Sequence, residues 1–417
     1  MKNMQTLIQE AMDMAVENKE VAGVSALAIR DGKEICFAKS GYSDIAAGKP
    51  MERNTICHLY SQSKPITAAA TMLLVQDGII DMGQPVGDFI DSFKEQVYLD
   101  NGVVTPVPCD KTLRIHNLLN MTSGLTYPGN TSETEVKTGY LFYDLIKRLK
   151  NCDTAEDAND YLDADNLGFS LEKIPDPSKG MMTTAEFAEE LGKLPLEFLP
   201  GSHFKYGTSA DILGAVIEKA SGMSFGEFLQ TRLFKILEMK DTGFFLSEDK
   251  LPRMSKIYKN VEGQLKEFHG NRLGVRSDGH ENAFESGGAG LYSTIDDYAR
   301  FGQMLLNGGV YKDREILKPR MVEYLTSGSL TATQQRDLDN WHGLEGFTYG
   351  NLMRVLKNPD EAVLVGNKGE YGWDGWLGAY FMNDPSTKTT FVMLTQMFDY
   401  GTGTLTRKLR NIIMNNI

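Results

Sequence analysis

The sequence predicts an α+β fold in which an antiparallel sheet is flanked by terminal helices and accompanied by a mostly helical lobe. Three observations lead to this prediction. Segments with strand character lie near both ends of the chain, whereas apolar residues at helical spacing dominate the middle. The first and last segments are themselves amphipathic helices that can cover the sheet. A sheet lobe beside a helical lobe leaves a cleft between them, and ligands commonly bind in such clefts.

These patterns divide the chain of 417 residues into two lobes. Residues 1–60 and 285–417 are predicted to form the lobe with the antiparallel sheet, and residues 61–284 the mostly helical lobe. The segment 130–180 is acidic and rich in turn residues, which predicts a solvated insertion into the helical lobe. Its aromatic residues raise the hypothesis that the insertion forms a lid over the cleft.

The elements follow one another in a regular order. After the N-terminal helix, residues 24–42 read as two strands joined by the turn pair Asp31-Gly32. An apolar helix from about residue 64 to 76 comes next, and from there to about residue 280 the helical pattern dominates. A Gly-rich loop then leads into a helix that Thr294 is predicted to cap. The remaining candidates are the strands FTYGNLMRVL, EAVLVGN, WLGAYFMND and TTFVMLTQM and the closing helix LTRKLRNIIMNNI.

The charge balance argues against polyanionic partners. The chain carries 43 basic and 56 acidic side chains, a net charge of −13, and it has no Lys/Arg-rich run. We therefore expect neither nucleic acid nor an anionic membrane surface as a partner. No apolar run is long enough to span a bilayer, and acidic residues interrupt the first segment where a signal peptide would be apolar.

The spacing of cysteine and histidine bears on the compartment and on cofactors. The four cysteines are widely spaced without a CxxC pair, which predicts reduced thiols in a cytoplasmic protein. An exported chain whose leader has been removed fits the same pattern. The six histidines have no metal-ligand spacing, and neither a P-loop nor a dinucleotide motif occurs. We therefore expect no metal and no cofactor, and the oligomeric state stays open.

Two serine motifs compete as the centre of a hydrolytic site. The sequence GMSFG around Ser224 matches the G-x-S-x-G elbow, but a helix precedes it where the elbow needs a strand. Ser224 is therefore interpreted as a helix cap. The motif S-x-x-K occurs four times, beginning at Ser61, Ser170, Ser202 and Ser247. Only Ser61 opens a long apolar helix, which makes its copy the stronger candidate.

The placement of Ser61 at a helix start has chemical consequences. Residues three apart share a helix face, so the Ser61 hydroxyl and the Lys64 amine can meet. Ser63 faces away from this pair. Burial of Lys64 under the apolar helix would lower the pKa of its amine and make it available as a base. From this stretch alone, a helix cap beside an exposed lysine is an equally good interpretation.

Four longer sequence blocks occur along the chain. Their first residues are, in order, LRIHNLLNMTSGL, LEFLPGSHFKYGT, ESGGAGLYSTIDD and GEYGWDGWLGAYF. Together they resemble the penicillin-binding-protein-like serine hydrolases. That family includes class C β-lactamases, D-alanyl-D-amino-acid peptidases, esterases of the β-lactamase fold and acyltransferases. The resemblance covers nearly the whole chain except residues 130–180 and implies catalysis through an acyl-enzyme.

The resemblance also assigns roles to individual residues. The family's S-x-x-K motif falls on Ser61, the implied nucleophile, and on Lys64. Its Tyr-x-Asn motif begins at Tyr206, which would exchange protons with Lys64, and which of the two is the base stays open. The implied oxyanion hole consists of the backbone N–H groups of Ser61 and Trp376. The other motif positions are implied to bind substrate, and they are Thr208, Trp373, Asp374 and Gly375.

Two of these positions depart from the β-lactamase pattern. Thr208 stands where many β-lactamases carry an amide side chain, and Trp373 stands where they carry a cationic lysine. Loss of that cation weakens the anchoring of anionic β-lactams and D-peptides, although Lys368 is near in sequence and could partly compensate for it. The expected activity is therefore that of an esterase or acyltransferase on a small ester or amide. A β-lactamase or D-amino-acid peptidase using the same residues is the alternative, and a non-catalytic binding protein is the rival from another class.

Overall fold

A computed structural model describes residues 2–149, 180–270 and 272–417. In chain order, the strands are β1 (Gly23–Arg30), β2 (Lys33–Asp44), β3 (Lys49–Pro50), β4 (Cys57–His58), β5 (Val97–Asp100), β6 (Val103–Pro106), β7 (Ile257–Val261), β8 (Gln264–Phe268), β9 (Tyr292–Ser293), β10 (Val310–Tyr311), β11 (Arg314–Glu315), β12 (Phe347–Gly350), β13 (Met353–Leu356), β14 (Tyr371–Asp374), β15 (Tyr380–Asp384) and β16 (Thr389–Thr395). The α-helices are α1 (Met4–Glu17), α2 (Lys64–Gln76), α3 (Ile115–Leu119), α4 (Glu133–Lys147), α5 (Thr184–Gly192), α6 (Ser209–Ser221), α7 (Phe225–Leu229), α8 (Lys235–Leu237), α9 (Ile295–Leu306), α10 (Pro319–Leu325), α11 (Ala332–Leu338) and α12 (Thr404–Met414). None of the helices in this described part combines the length and the apolar character needed to cross a membrane.

The largest sheet has eight strands in the order β12-β13-β14-β15-β16-β1-β2-β3, and its neighbouring strands are antiparallel. Strand β1 lies between β2 and β16, with Leu27 opposite both Phe37 and Val392. The first hairpin turns at Asp31-Gly32, whose φ angles of 48° and 71° are left-handed. The prediction of an antiparallel sheet built from both chain ends is confirmed.

Successive side chains of the central strands point to opposite faces of this sheet. Ala26, Ala28 and Met393 belong to the apolar cluster that contains α1 and α12. Leu27 and Val392 belong to the larger core on the other side, which contains α2 and α9. The prediction that the first and last helices cover the sheet is therefore confirmed. The exact division into two lobes stays a prediction, because this larger core also runs through the helical middle of the chain.

The helical prediction for the middle of the chain missed two hairpins, β5–β6 and β7–β8. Their turns use the pairs Asn101-Gly102 and Glu262-Gly263, and all four residues have positive φ. Asn-Gly is a strong hairpin signal in a sequence, so the first turn was readable. Glu-Gly is a weaker signal, and the second hairpin is recognised only from its pairing in the structure.

The strand predictions near the C-terminus need two corrections. FTYGNLMRVL forms the two strands β12 and β13, because Asn351 and Leu352 have φ angles of 50° and 62° and reverse the chain. EAVLVGN, which lies within the described part of the chain, forms no strand. Its Val363 and Val365 are 56% and 48% exposed, so this apolar segment is a surface loop.

The solvated insertion predicted at 130–180 is wrong in its first part. Helix α4 begins after Ser132, whose hydroxyl accepts a hydrogen bond from the Glu135 N–H at 3.2 Å. Phe142 and Leu145 are fully buried in the main core. The acidic side chains of this helix obscured its apolar stripe in the sequence. Residues 150–179, including the rest of the proposed lid, lie outside the described residues.

The C-terminal helix α12 is joined to the sheet region by a fully buried ion pair. Arg410 contacts both carboxylate oxygens of Glu370, with 2.7 Å between Nη2 and Oε2, and neither side chain is exposed. The guanidinium also donates to the Tyr380 hydroxyl at 2.8 Å and to the Val365 carbonyl at 2.6 Å. Most of the hydrogen-bonding capacity of this buried charge is therefore used.

Candidate active site

Ser61 lies in a short 3-10 turn, Tyr60–Ser63, which leads directly into α2. Tyr60 has a φ of 46°, a left-handed conformation that is strained for a bulky side chain. Its buried ring packs against His58 and Trp376, with centroid distances of 4.4 and 5.1 Å. Ser61 is partly exposed, whereas the residues on either side of it are buried. The packed, strained turn therefore presents this one hydroxyl to the solvent.

Two other serines considered from the sequence have structural partners. Ser63 is fully buried, and its hydroxyl accepts a hydrogen bond from the Leu291 N–H at 3.1 Å. Ser224 caps the helix that follows it by accepting from the Glu227 N–H at 3.2 Å. The interpretation of Ser224 as a helix cap is confirmed. Neither contact resembles a nucleophile paired with a base.

Lys64 is the first residue of α2 and is fully buried. Its Nζ lies 3.0 Å from Ser61 Oγ, 3.0 Å from Tyr127 OH and 2.9 Å from the Gly288 carbonyl oxygen. The prediction that the serine and the lysine meet is confirmed. The remaining two contacts come from distant parts of the chain, and no sequence motif indicated them.

The environment of Lys64 changes the acidity of its amine. Burial lowers its pKa to about 7, because desolvation disfavours the ammonium ion. The carboxylates of Asp211 and Asp374 act in the opposite direction and keep the pKa from falling further. An amine with this pKa is substantially neutral near pH 7, so it can accept a proton from a neighbouring hydroxyl.

Tyr206 presents its ring face to the lysine, with 4.7 Å between Lys64 Nζ and the ring centroid. Its hydroxyl oxygen accepts a hydrogen bond from Trp373 Nε1 at 3.0 Å, and the hydroxyl also interacts with the Ser61 side chain. Burial raises the pKa of Tyr206 far above its ordinary value. The phenol is therefore neutral in the resting protein and can donate a proton.

Tyr127 and the Gly-rich loop that contains Ser286 and Gly288 complete the surroundings of the Lys64 amine. The Asp211 carboxylate holds this loop, since Oδ1 accepts from Ser286 Oγ at 2.5 Å and from the Gly288 N–H at 3.0 Å. A Cβ at Gly288 would lie 2.9 Å from Asp211 and 3.1 Å from Tyr127 OH. A larger residue at position 288 would therefore displace Asp211 or Tyr127, so glycine suits this part of the loop. The sequence analysis missed Tyr127, although it lies only two residues after the TSGL block.

Strand β14 brings Trp373 and Asp374 to the same region, and Gly375 follows directly after its end. Trp373 is almost completely buried. Asp374 lies 3.4 Å from the buried guanidinium of Arg354, and desolvation raises its pKa while Arg354 counteracts the shift. A Cβ at Gly375 would lie 2.1 Å from the Leu59 carbonyl oxygen. Glycine is therefore required where the chain leaves this strand and passes the segment that carries the nucleophile.

A cavity of about 320 Å³ opens beside Ser61, a size typical of a small-molecule site. All three tryptophans of the chain line it. Its lining residues are Ser61, Tyr206, Trp341, His342, Gly343, Leu344, Trp373, Asp374, Trp376, Asp399, Tyr400, Gly401, Thr402 and Arg407. Ser61 and Trp376 thus share one cavity, and the assignment of the oxyanion hole to their N–H groups stays a prediction.

Thr208 and Gly375 are not among the lining residues. Thr208 is fully buried, and its hydroxyl donates to the Thr126 carbonyl at 3.3 Å. Trp341 and Arg407 also line the cavity, and the sequence analysis assigned neither of them a role in the site. Within residues 2–149, 180–270 and 272–417, no group of three or more His, Cys, Asp or Glu side chains is arranged to hold a metal ion.

The chain is similar to known proteins over nearly its whole length. The family model described as Beta-lactamase matches residues 4–411. Esterase EstB of Burkholderia gladioli is 25% identical over 97% of this chain and 94% of its own length. Protein Rv1367c of Mycobacterium tuberculosis is 27% identical over 94% of this chain and 89% of its own length.

Solved structures extend the similarity to the fold. EstCE1, described as a hydrolase with promiscuous acyltransferase activity, has a TM-score of 0.76 at 21% identity over 99% of this chain and 98% of its own. Simvastatin synthase LovD of Aspergillus terreus has a TM-score of 0.77 at 18% identity with the same coverage. Because the family model spans nearly the whole chain and the fold agrees, this protein belongs to the β-lactamase family and is a serine hydrolase of the β-lactamase and penicillin-binding-protein fold.

Proposed function

We propose that the protein is an esterase that acts on small, uncharged esters through an acyl-enzyme on Ser61, with transfer of the acyl group to a second alcohol as a further outcome. The contact of Lys64 Nζ with Ser61 Oγ beside an aromatic cavity carries this proposal. The relative EstB is named an esterase, and the structural neighbour EstCE1 is described as a hydrolase with promiscuous acyltransferase activity. Both descriptions support the same chemistry here.

Acylation begins when the Ser61 hydroxyl gives its proton to the lone pair of Lys64 Nζ and the serine oxygen attacks the ester carbonyl carbon. The carbonyl π electrons move to its oxygen, which the N–H groups of Ser61 and Trp376 are placed to stabilise in this proposal. When the intermediate collapses, the bond to the alcohol oxygen breaks. The leaving alkoxide takes the proton held by Lys64, directly or through the Tyr206 hydroxyl.

Deacylation repeats these steps with a new nucleophile. Water, or a second alcohol, gives a proton to the neutral Lys64 amine and attacks the acyl carbonyl. Collapse of the second intermediate breaks the bond to Ser61 Oγ, and the proton returns to the serine. The products are an acid or a new ester, and the enzyme regains its resting protonation state.

An uncharged substrate fits the cavity because tryptophan and tyrosine side chains form much of the wall beside Ser61. Trp373 occupies the position expected to carry a lysine in β-lactamases, and it presents an indole rather than a cation. Lys368, which the sequence offered as a substitute, is exposed and is not among the lining residues. The walls therefore favour an apolar acyl or alcohol group over a carboxylate.

A β-lactamase or D-amino-acid peptidase is the second candidate, and one observation favours it. The guanidinium of Arg407 lines the cavity and donates to the Thr402 carbonyl at 2.7 Å and to Thr404 Oγ1 at 3.1 Å. Both of these partners are uncharged. Arg407 therefore retains a positive charge that a substrate carboxylate can approach.

A substrate panel separates these candidates. The protein is incubated with p-nitrophenyl acetate and butyrate, with a chromogenic cephalosporin, and with D-alanyl-D-alanine peptides. Ester turnover that exceeds cephalosporin and peptide turnover supports the proposal, whereas the reverse order supports the second candidate. Turnover of none of them, without labelling of Ser61 by a fluorophosphonate, would favour the non-catalytic binding protein.

The pH dependence of ester hydrolysis is predicted to follow the Lys64 amine. Because only the neutral amine accepts a proton and burial lowers its pKa to about 7, kcat/KM should rise about tenfold per pH unit below that value and level off above it. The measurement uses a neutral ester between about pH 5 and 9, so that the substrate does not titrate. A rate that is constant across pH 7, or that falls through it, would contradict Lys64 as the base.

Trp341 is predicted to limit the size of the group that enters the cavity. Its indole is 39% exposed and contacts the rings of Tyr206 and Trp373, with centroid distances of 5.0 and 5.8 Å. In Trp341→Ala, the ratio of kcat/KM for p-nitrophenyl octanoate to that for the acetate should rise roughly tenfold. Tyr324→Ala, at a similarly exposed aromatic residue outside the cavity, is the control, and an equal change in both variants would contradict this role.

A further inference from the structure

The contacts of the Lys64 amine restrict how its hydrogens can be arranged. A neutral amine has two N–H donors and one lone pair, whereas the ammonium ion has three donors and no lone pair. Three polar atoms lie within hydrogen-bond distance of Nζ, namely Ser61 Oγ at 3.0 Å, Tyr127 OH at 3.0 Å and the Gly288 carbonyl oxygen at 2.9 Å. When the amine acts as a base, one of these three directions must hold the lone pair.

The Gly288 carbonyl takes one N–H in every state, because a carbonyl oxygen can only accept. Its position is fixed from the other side of the same residue. The Gly288 N–H donates to Asp211 Oδ1 at 3.0 Å, and the same oxygen accepts from Ser286 Oγ at 2.5 Å. One donor of the neutral amine is therefore committed to this backbone.

Ser61 and Tyr127 compete for the second N–H and the lone pair. If the N–H points to Ser61, the lone pair faces Tyr127 and the amine cannot take the serine proton. If the N–H points to Tyr127, the lone pair faces the serine hydroxyl. Only the second arrangement is productive for nucleophilic attack.

We infer that Tyr127 is a positioning residue whose hydroxyl oxygen accepts an N–H from Lys64 and thereby turns the lone pair of the amine toward Ser61. This inference rests on the proposed function, in which Lys64 is the base. Tyr127 is not among the residues that line the cavity, so it acts through Lys64 rather than on the substrate.

Tyr206 does not serve this purpose in the structure. It offers its ring face to Nζ at 4.7 Å, and its hydroxyl is engaged by Trp373. The Tyr127 ring centroid also lies 5.5 Å from Nζ. Nζ therefore lies beyond the hydroxyl end of the Tyr127 ring, 3.0 Å from its oxygen, and not over its face. The face of the Tyr206 ring stabilises the ammonium after it has received the proton, whereas the Tyr127 oxygen and the Gly288 carbonyl orient the amine before the transfer.

The other groups that act on Lys64 stay in place when the Tyr127 hydroxyl is removed. Its charged neighbours are Asp211 on α6 and Asp374 on β14, and the phenol of Tyr206 is the remaining titratable group beside it. A Tyr127→Phe protein keeps the aromatic ring and loses one oxygen. Any change in the behaviour of Lys64 can therefore be attributed to that oxygen.

The test is the pH profile of Ser61 labelling by a fluorophosphonate in Tyr127→Phe. We expect the rate constant on the high-pH plateau to fall roughly tenfold to hundredfold, because the neutral amine no longer has a fixed orientation. We also expect the acid limb to move about one unit to lower pH, because the ammonium loses an acceptor. A lower rate without movement of the limb, or an unchanged profile, would overturn the inference.

Tyr349→Phe is the matched control. Tyr349 is a buried tyrosine whose ring lies 5.0 Å from that of Trp373, and its hydroxyl has no hydrogen-bond partner among the described residues. Removal of this hydroxyl should leave both the plateau and the acid limb unchanged. Thermal melting of both variants verifies that they are folded.

A second measurement tests the inference even if the proposed function is wrong. If the wild-type protein were neither labelled by the probe nor active on esters, the proposed function would fail. The Lys64 amine can still be titrated by ¹³C NMR of lysine-labelled protein, with its resonance assigned by its absence from Lys64→Met. A pKa about one unit lower in Tyr127→Phe than in the wild type would support the contact, and an equal pKa would overturn it.

Discussion

The Ser61→Ala protein is expected to lose ester hydrolysis by a factor of about 10⁴ to 10⁶ in kcat, because it lacks the serine hydroxyl that both contacts Lys64 and lines the cavity. The cavity and the amine stay in place, so the loss concerns the chemical step rather than the fold. Steady-state kinetics with p-nitrophenyl butyrate give the rate. Mass spectrometry after fluorophosphonate treatment should show one adduct on the wild-type protein and none on the variant.

Ser63→Ala is the matched control, because this serine lies two residues away in the same turn. Its hydroxyl accepts from the Leu291 N–H at 3.1 Å, so its loss should lower the free energy of unfolding by about 1–3 kcal/mol. Labelling and ester turnover should persist. Retained activity in Ser61→Ala, or loss of labelling in a folded Ser63→Ala protein, would show that the nucleophile is assigned incorrectly.

The Glu370→Gln protein is expected to be less stable than the wild type by about 3–5 kcal/mol, because the substitution leaves the Arg410 guanidinium buried without a counter-charge. Glu370 and Arg410 are both fully buried, and their carboxylate and guanidinium make two contacts. Helix α12 should separate from the sheet more easily as a result. Urea denaturation followed by circular dichroism measures the free energy of unfolding.

Two further variants test the origin of this effect. Glu190 and Lys193 form an exposed ion pair at 2.6 Å, and Glu190→Gln should change stability by less than about 1 kcal/mol. The double variant Glu370→Leu/Arg410→Met replaces both buried charges by apolar groups and should recover much of the lost stability. Equal destabilisation by Glu370→Gln and Glu190→Gln would contradict a special role for the buried pair.

The contact between Ser61 and Lys64 could be predicted from the sequence because it depends on local geometry. Residues three apart at the start of a helix lie on one face, and the apolar helix that follows indicated burial of the lysine. The structure has 3.0 Å between Nζ and Oγ, and burial lowers the pKa of Lys64 as expected. The catalytic roles themselves rest on the resemblance to the family and stay proposals.

Two segments were predicted incorrectly because their overall polarity did not match their burial in the structure. Helix α4 carries many charged side chains, so its buried residues Phe142 and Leu145 were interpreted as part of a solvated insertion. The apolar run EAVLVGN led to the opposite error, a predicted strand where the chain forms a loop that exposes Val363 and Val365. In both cases burial depends on what packs against the segment, and a single segment does not contain that information.

The surroundings of the amine could not be predicted, because they come from distant parts of the chain. The oxygen of Tyr127 and the carbonyl of Gly288 lie 63 and 224 residues away from Lys64 in sequence. Trp341 reaches the rings of Tyr206 and Trp373 from a loop that carries no motif. The placement of Thr208 outside the cavity lining is likewise a result of packing.

The sequence by itself determined the order of the principal elements, the family, and the local pairing of a serine with a lysine. These features follow from hydrophobic periodicity, helix geometry and motif spacing, all of which act over a few residues. Only the tertiary structure decided which oxygen atoms surround the Lys64 amine and which rings form the walls of the cavity. Those contacts depend on how the sheet, α2 and the Gly-rich loop pack together, because desolvation and hydrogen-bond direction are properties of the assembled site.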